Sequence, residues 1–270
     1  MKIISSHGIR YMTFDLFRGH PITAAVSCRM GGVSRAPMDS LNMGFHVGDD
    51  PEAVLENRRR YFEALSCDAS SLVCCQQVHG TYISKVTAKD RGRGALSLAT
   101  AIPACDGLMT NEIHVPITMN YADCTPLLFY DPVKQVIALS HGGWRGTAGN
   151  IAGLTIAKME KNYHCRREDI LCAIGPAIGL ECFEVGEEVV EEFFRLFTEK
   201  EMDRLSVSKG NGKYLFDLHG ANRRLLEKAG IPFSHIEDSG LCTYCHDDLF
   251  FSYRKSGGKT GRHMAVMVLK

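Results

Sequence analysis

The feature that most constrains the fold is residues 117–148, where three short apolar runs are separated by turn residues. The runs are Ile117–Tyr121, Leu127–Tyr130 and Val136–Ser140. Asp131-Pro132 lies between the second and third runs, and both residue types favour turns. Apolar runs of this length that end at turn residues are typical of buried strands. This stretch therefore predicts successive strands in the core of a sheet.

Two residues whose side chains carry chemistry follow these runs. Cys124 comes shortly after the first run, and His141 comes directly after the third. Beyond His141 the chain continues as Gly-Gly-Trp-Arg-Gly and then as a helical pattern. The backbone N–H groups of a glycine turn at a helix start are free to bind an anion. We therefore expect an active site at this end of the strands.

The chain as a whole predicts one domain, residues 1–270, with an α/β (α+β) fold: a single layered sandwich in which helices flank a mixed β-sheet. Residues 88–104 are predicted to be a loop. The further predicted strands are Ile22–Cys28, Leu72–Val78, Tyr82–Val86, Ile170–Ile174 and Met264–Leu269. The predicted helices begin at Asp50-Pro51, run from Thr147 to about Asn162, span Val185–Phe197, and run from Asp217 to Gly230.

Charge and hydropathy exclude several classes of partner. The chain has 31 Lys+Arg and 31 Asp+Glu, so no net field attracts nucleic acid or an anionic membrane. No apolar run approaches the ~20 residues needed to cross a bilayer, and the N-terminus lacks the apolar core of a signal peptide. We therefore expect a cytoplasmic protein whose 11 cysteines are mostly reduced.

His79, Cys124 and His141 each lie at or just beyond the end of an apolar run. A thiolate and two imidazoles suit Zn²⁺ and leave a fourth position for water or substrate. Their separations do not match a zinc finger, so the alternative is a buried cysteine with histidines that are satisfied by hydrogen bonds. Asp123 could orient a ligand or act as an acid or base, or it could be a turn residue at a strand end.

A second interpretation needs no metal. Cys124 would be the nucleophile of a cysteine hydrolase and His141 its base. Both interpretations require a lowered pKa of the Cys124 thiol, which Arg145 or a metal could provide. The sequence leaves this alternative open.

The segment Cys242-Thr-Tyr-Cys245-His246 matches the pattern of c-type haem attachment. Such haems are attached outside the cytosol, which argues against that interpretation here. Cys242 and Cys245 could also form half of a zinc site, but no second cysteine pair has a matching spacing.

Arginines also lie beside glycines in several predicted loops. Arg29, Arg145, Arg254 and Arg262 have this property. Such arginines around a cleft can bind phosphate or carboxylate through two hydrogen bonds. The alternative for each is a solvated surface position.

Nine short motifs are found in order along the chain: CRMGGVS (28–34), SLNMG (40–44), HVGDD (46–50), QVHG (77–80), ADCTPLLFYDP (122–132), HGGWRGT (141–147), IGPAIG (174–179), FEVGEEV (183–189) and FFSYR…TGR (250–262). Together they resemble the YfiH-like family, whose names include polyphenol oxidase, laccase-domain protein and multifunctional purine nucleoside phosphorylase. The resemblance covers the chain from about residue 22 to its end.

The resemblance implies that His79, Cys124 and His141 bind the metal, which is Zn²⁺ with Cu as the alternative. The family usually has HAGWRG where this chain has HGGWRG, and Gly142 in place of alanine should leave the ligand in place. The resemblance also implies a fold similar to a toxin deamidase of the cysteine-hydrolase type. From motif position, Asp123 is predicted to join the ligands in catalysis, and substrate binding is assigned to Arg29, Asn42, Arg145 and Arg254.

The implied activities are phosphorolysis of adenosine, inosine, guanosine and methylthioadenosine, and deamination of adenosine. The partners are then purine nucleosides and phosphate, bound by a monomer or homodimer. Amide hydrolysis in cell-wall precursor editing and a zinc-stabilised binding module stay as alternatives. The laccase name fits less well, because none of the 11 histidines forms the His-x-His pairs of a trinuclear copper centre. Phenol oxidation is therefore expected as a side activity of copper-loaded protein.

Overall fold

The computed structural model describes residues 1–270. The chain forms two six-stranded mixed sheets and one three-stranded sheet. The strands are β1 (Lys2–Ser6), β2 (Ile9–Thr13), β3 (Ile22–Ser27), β4 (Val73–Cys74), β5 (Ile83–Lys85), β6 (Gly107–Thr110), β7 (Ile117–Tyr121), β8 (Thr125–Asp131), β9 (Val136–Gly142), β10 (Leu171–Ile174), β11 (Glu184–Gly186), β12 (Ser206–Gly210), β13 (Lys213–Phe216), β14 (Ile236–Asp238) and β15 (His263–Leu269). The helices are α1 (Pro51–Ala64), α2 (Trp144–Ala148), α3 (Ile151–Tyr163), α4 (Glu187–Phe193), α5 (Glu199–Leu205) and α6 (Leu218–Lys228).

The first sheet has the strand order β1-β2-β3-β15-β7-β4, and the second has β14-β10-β8-β9-β6-β5. The first sheet is antiparallel except for the β4–β7 pair. The second is antiparallel at its centre and has a parallel pair at each edge, β14 with β10 and β5 with β6. The small antiparallel sheet has the order β11-β13-β12.

The side chains of β8 point alternately to its two faces, and the cores that they enter show how the sheets are layered. Leu128 and Tyr130 contribute to a core that also contains β7 and β15 of the first sheet, so the two large sheets pack face to face. Leu127 and Phe129 point to the opposite side, into a core shared with α3 and α6. Because successive side chains of a strand point to opposite faces, a strand buried on both faces must be apolar throughout. The result is a four-layer sandwich, with α1 covering the outer face of the first sheet.

Several predicted elements are confirmed. Helix α1 begins at Pro51, and the Asp50 side chain caps it by accepting the N–H of Glu52 at 3.0 Å. Helix α6 is capped by Asp217 and is followed by Gly230 at φ +89°, where glycine meets no steric penalty. Strands β3, β5, β8, β9, β10 and β15 lie where apolar runs predict them.

The prediction of one mixed sheet is wrong, because the chain crosses between two sheets. Strand β7 belongs to the first sheet and β8 to the second. Residues 122–124 make the crossing, and Asp123 there adopts a left-handed conformation, with φ +83°. Buried strands have the same apolar sequence pattern whether they belong to one sheet or to two. The pattern therefore does not predict which strands are neighbours.

Three element boundaries also differ from prediction. The strand predicted at Leu72–Val78 is limited to Val73–Cys74, because Cys75 and Gln76 turn to pair with the backbone of Ile102, and the Val78 N–H bonds to the Asp106 carboxylate. The helix predicted from Thr147 is two helices, broken where Asn150 takes φ +57° and caps α3 by accepting the N–H of Gly153. The helix predicted at Val185–Phe197 is reduced to α4, since Val185 pairs in β11.

Candidate metal centre in an open cavity

His79, Cys124 and His141 converge, and we call them the cavity floor. His79 lies in the loop between β4 and β5, Cys124 at the crossing between the two sheets, and His141 in β9. One ligand atom from each lies within 4.8 Å of the others. Ligands from three separate segments cannot be recognised by sequence spacing, which explains why spacing gave weak support.

Asp106 holds two of these three residues in place. Its buried carboxylate accepts the backbone N–H groups of Val78, His79 and Gly80 at 3.2, 3.0 and 2.7 Å. It also pairs with Nδ1 of His141 at 2.9 Å. His79 has φ +60°, an uncommon conformation for a residue with a side chain, and these hydrogen bonds stabilise it. One aspartate therefore positions a loop ligand and a strand ligand together.

The pairing with Asp106 also fixes which nitrogen of His141 is available. Because Nδ1–H donates to the carboxylate, Nε2 is left as the ligand atom. Space around the ligands is tight: a Cβ at Gly143 would lie 3.1 Å from Sγ of Cys124 and 3.2 Å from Cδ2 of His79. Glycine at this position lets α2 start directly against the ligands.

The electrostatics of the metal-free floor favour a thiolate next to an imidazolium. Burial would raise the pKa of Cys124, but the charge of His141 and hydrogen bonds from both histidines lower it to about 6. Burial would likewise lower the pKa of His141, but the Cys124 thiolate and the hydrogen bond to Asp106 raise it to about 9. A sulfur ligand that is already deprotonated is ready to bind a cation.

The donor set fits a metal ion. One thiolate and two imidazoles match the ligand preferences of Zn²⁺ and of copper, and a carboxylate that orients a ligating histidine is the usual supporting contact. A metal ion held by these three side chains would keep a further coordination position for water or substrate.

The cavity above the floor has a volume of about 500 Å³ and is lined by 18 residues, half of them hydrophobic. Its aromatic lining comes from Trp144, Phe183 and Tyr253, and its cationic lining from Arg254 and Arg262. Pockets of this size suit a ligand of drug or nucleoside dimensions.

The predicted substrate-binding residues divide into two groups. Arg254 lines the cavity, whereas Arg29, Asn42 and Arg145 are not among the lining residues. The guanidinium of Arg29 is engaged by the carbonyl oxygens of Asp39 and Asp247 and by the Asp39 carboxylate, at 2.7, 3.0 and 3.1 Å. This arginine therefore acts as a brace between two loops.

Asn42 is fully buried and holds Arg262, because its Oδ1 accepts the backbone N–H of Arg262 at 2.8 Å. Arg145 is exposed on α2, with its guanidinium stacked 4.2 Å from the Trp144 ring. The roles predicted for Asn42 and Arg145 in substrate binding stay predictions.

Asp123 lines the cavity next to Cys124, but its carboxylate is already hydrogen-bonded. Oδ1 accepts the hydroxyl of Thr243 and Oδ2 the backbone N–H of Arg254, both at 2.6 Å. These contacts tie the crossing between the sheets to the chain segment before β15. A catalytic role for Asp123 stays a prediction.

Sequence reasoning missed three residues of the site. Asp106 directly precedes the buried strand β6. An acidic residue next to a buried strand is the sequence feature that could have indicated its role. Asn120 lines the cavity at the end of β7, and its Oδ1 has no hydrogen-bond partner. Burial and the nearby charge of Arg262 lower the pKa of His46, which also lines the cavity, to about 4.

Comparisons with known proteins can be set beside this geometry. A family model described as "Multi-copper polyphenol oxidoreductase laccase" matches residues 23–270. A Geobacillus stearothermophilus protein named purine nucleoside phosphorylase YlmD is 46% identical over 244 residues, which are 90% of this chain and 89% of that one. A protein named adenosine deaminase RL5, from an unknown prokaryotic organism, is 34% identical over 232 residues, 84% of this chain and 86% of that one.

The crystal structure of the Bacillus licheniformis hypothetical protein YfiH superposes with a TM-score of 0.93 at 36% identity, covering 98% of each chain. This likeness confirms the mixed α/β fold, while the implied similarity to a toxin deamidase stays a prediction. Among the helices, none is long and apolar enough to cross a membrane.

Proposed function

Because this chain belongs to the family described by the polyphenol oxidoreductase laccase model, with relatives named purine nucleoside phosphorylase, we propose that it phosphorolyses purine nucleosides. The substrates are adenosine, inosine, guanosine and methylthioadenosine, and deamination of adenosine is a second activity of the same site. The reaction takes place in the cytoplasm, at a Zn²⁺ ion on the cavity floor.

The observation that carries this proposal is that two arginines line the same cavity as the three residues of the floor. Arg254 and Arg262 line that cavity together with Cys124. Arg254 uses Nη1 to bond the carbonyl of Glu184, and Arg262 uses Nη1 to bond the carbonyls of Thr260 and Gly261. Both guanidinium groups therefore keep further N–H donors for an anion, and paired donors of this kind suit phosphate.

The purine is recognised by Asn120. Its side-chain oxygen is buried without a partner, and a buried polar atom without a partner is costly unless a ligand satisfies it. A carboxamide both donates and accepts, so it can meet the edge of adenine as well as that of hypoxanthine. We expect Asn120→Ala to raise the KM for both nucleosides by about tenfold, the equivalent of one lost hydrogen bond.

In phosphorolysis a phosphate oxygen bonds to C1′ while the C1′–N9 bond breaks, and the proton of the hydrogen phosphate passes to the leaving purine. A Zn²⁺ ion held by His79, Cys124 and His141 would supply the Lewis acidity that deamination at C6 requires. Arg254 and Arg262 hold the phosphate against the sugar, and Asn120 orients the base. Trp144, with the rest of the apolar lining, excludes bulk water and so strengthens these interactions.

Product analysis tests the proposal. Zinc-loaded protein is incubated with inosine or adenosine, with and without phosphate, beside Cys124→Ala. We expect hypoxanthine from inosine only when phosphate is present, inosine from adenosine without phosphate, and neither product from the variant. Absence of turnover in zinc-loaded wild-type protein would contradict the proposal.

A metal-independent cysteine hydrolase is the second candidate, because Cys124, His141 and Asp106 are arranged as a nucleophile, a base and an orienting carboxylate. The two candidates respond differently to a chelator. Removal of the metal should abolish phosphorolysis, whereas it should leave or increase hydrolysis by a free thiolate.

Phenol oxidation at a multicopper centre has less support. His79 and His141 are the two histidines of the cavity floor, and the other cluster of metal-binding side chains contains cysteines alone. A trinuclear copper centre needs many more imidazoles than these.

A further inference from the structure

Three cysteines that the proposed reaction does not use converge at a second place in the molecule. Cys182, Cys242 and Cys245 have their sulfur atoms within 4.8 Å of one another. The sulfurs of Cys182 and Cys245 are 3.5 Å apart. Cys182 comes from the segment after β10, and the other two come from the segment before β15. Sequence spacing indicated no partner for the Cys242/Cys245 pair, but the fold brings Cys182 next to it.

The backbone around this cluster is shaped for a thiolate. The N–H of Gly179 donates to Sγ of Cys242 at 3.2 Å, and such amide donors stabilise negative charge on sulfur. A Cβ at Gly179 would lie 3.1 Å from Cβ and 3.3 Å from Sγ of Cys242, so glycine allows this close approach. Cys245 is exposed, which leaves a side of the cluster open to solvent.

The two segments that carry the cluster form one wall of the cavity, and we call residues 177–183 and 242–254 the cavity wall. Residues 239–262 contain no helix or strand, which is unusual for a loop of this length without a ligand or other constraint. The wall is joined at one end by the bridge between Ala177 and Cys242. It supplies Phe183 and Arg254 to the cavity lining.

We propose that Cys182, Cys242 and Cys245 form a second metal site, which binds one thiophilic d¹⁰ cation, Zn²⁺ or Cu⁺, and fastens the cavity wall. Thiolate sulfur is a ligand type that both ions bind well, and the exposed side of the cluster at Cys245 leaves room for a further ligand from solvent. Binding exchanges thiol protons for metal–sulfur bonds and involves no redox step. The site is structural, since its ligands lie on the chain segments that it joins, whereas the floor ligands face the cavity.

Metal stoichiometry in four variants tests this site separately from the floor. Reduced Cys124→Ala protein, which lacks the floor thiolate, is loaded with Zn²⁺ or with Cu⁺, desalted and analysed by elemental mass spectrometry. We expect one equivalent to be retained in Cys124→Ala, none in Cys124→Ala/Cys245→Ser or Cys124→Ala/Cys242→Ser, and one in the control Cys124→Ala/Cys67→Ser. The ion that is retained under competition identifies the cation. Equal retention in all four variants, or none in Cys124→Ala, would overturn the proposal.

Two further measurements report on ligands and on the wall. Co²⁺ bound to Cys124→Ala should give a sulfur-to-cobalt charge-transfer band about three times as intense as that of a one-thiolate site. Hydrogen exchange in residues 177–183 and 242–254 should slow when Zn²⁺ is added to Cys124→Ala, and should not change in Cys124→Ala/Cys245→Ser. Zinc-independent exchange in these segments would refute the fastening role. Neither measurement depends on nucleoside turnover.

Discussion

The cavity floor and the cavity wall each rely on a histidine paired with an aspartate whose side chain is almost fully covered, and they use the histidine differently. Nδ1 of His141 lies 2.9 Å from Asp106, and Nδ1 of His219 lies 2.9 Å from Asp238. On the floor the other nitrogen faces Cys124 and hydrogen-bonds its sulfur. Beneath the wall it faces the carbonyl of Ala177 at 3.4 Å. The same pair thus makes a candidate metal ligand where the second nitrogen meets a thiol, and a structural support where it meets a backbone carbonyl.

The sulfurs of the two regions differ in the same sense. Cys124 is activated by two imidazoles inside the cavity, whereas Cys242 is held by a backbone amide near the surface. A site whose open position faces a cavity suits catalysis, and a site that joins two loops suits stability. This difference leads to separate predictions for substitutions on the floor and in the wall.

The largest effect is expected for Cys124→Ala. It removes the sulfur ligand, and the loss of several kcal/mol of transition-state stabilisation lowers kcat/KM for inosine on the order of 10³-fold. Cys245→Ser in the wall should lower kcat/KM for inosine by less than about tenfold, because Cys245 does not contact substrate. Steady-state assays of both variants check the contrast. Equal losses in the two would show that floor and wall act as one unit.

Asp106→Asn should come next. The amide cannot accept from every donor that the carboxylate serves, so His141 and the loop of His79 lose their fixed orientation. We expect zinc affinity at the floor to fall about 10- to 100-fold, the usual cost of removing such a supporting carboxylate. Competition with a chromophoric chelator measures it. Asp238→Asn is the matched control, and a similar loss of floor affinity there would contradict the assignment of Asp106.

Asp238→Asn should act on stability, in a manner that depends on pH. Burial would lower the pKa of His219, but the hydrogen bond and charge of Asp238 raise it above its ordinary value. A histidine whose pKa is raised by folding stabilises the folded protein, and that contribution is complete below about pH 6.5, the pKa in the unfolded chain. The contribution is lost as pH rises through the pKa in the folded protein.

The variant should therefore lose about 2 kcal/mol of unfolding free energy at pH 5.5, as expected for a hydrogen bond to a charged group. The loss should be smaller at higher pH, because this contribution disappears as pH rises through the folded pKa of His219. Urea unfolding at the two pH values provides the measurement. A loss that grows with pH would mean that His219 is neutral in the native protein.

Local pattern predicted the elements better than it predicted their arrangement. Asp50 and Asp217 cap helices where the sequence indicates, because capping depends on residues a few positions away. The apolar run of β8 predicts a buried strand but not the two separate cores on its faces. Likewise, residue type made a metal site at His79, Cys124 and His141 one of two open interpretations, and only the family resemblance assigned them as ligands. Asp106 and Cys182 acquire their roles only through contacts between segments distant in sequence.

The smallest effect is expected for Gly142→Ala, which introduces the alanine that the family resemblance leads us to expect beside His141. A new Cβ would lie 3.0 Å from the carbonyl oxygen of Thr125 and 3.3 Å from Oδ1 of Asn222, so β8 and α6 must shift by a few tenths of an ångström. The lower backbone entropy of the unfolded chain, worth about 0.4–1 kcal/mol, offsets that strain. Unfolding free energy should therefore change by less than about 1 kcal/mol, and zinc affinity should stay the same.

Gly143→Ala is the adjacent control, because its Cβ would press on Cys124 and His79 and should weaken zinc binding. If the two alanines behave alike, the ligands are not packed as tightly as the floor geometry indicates.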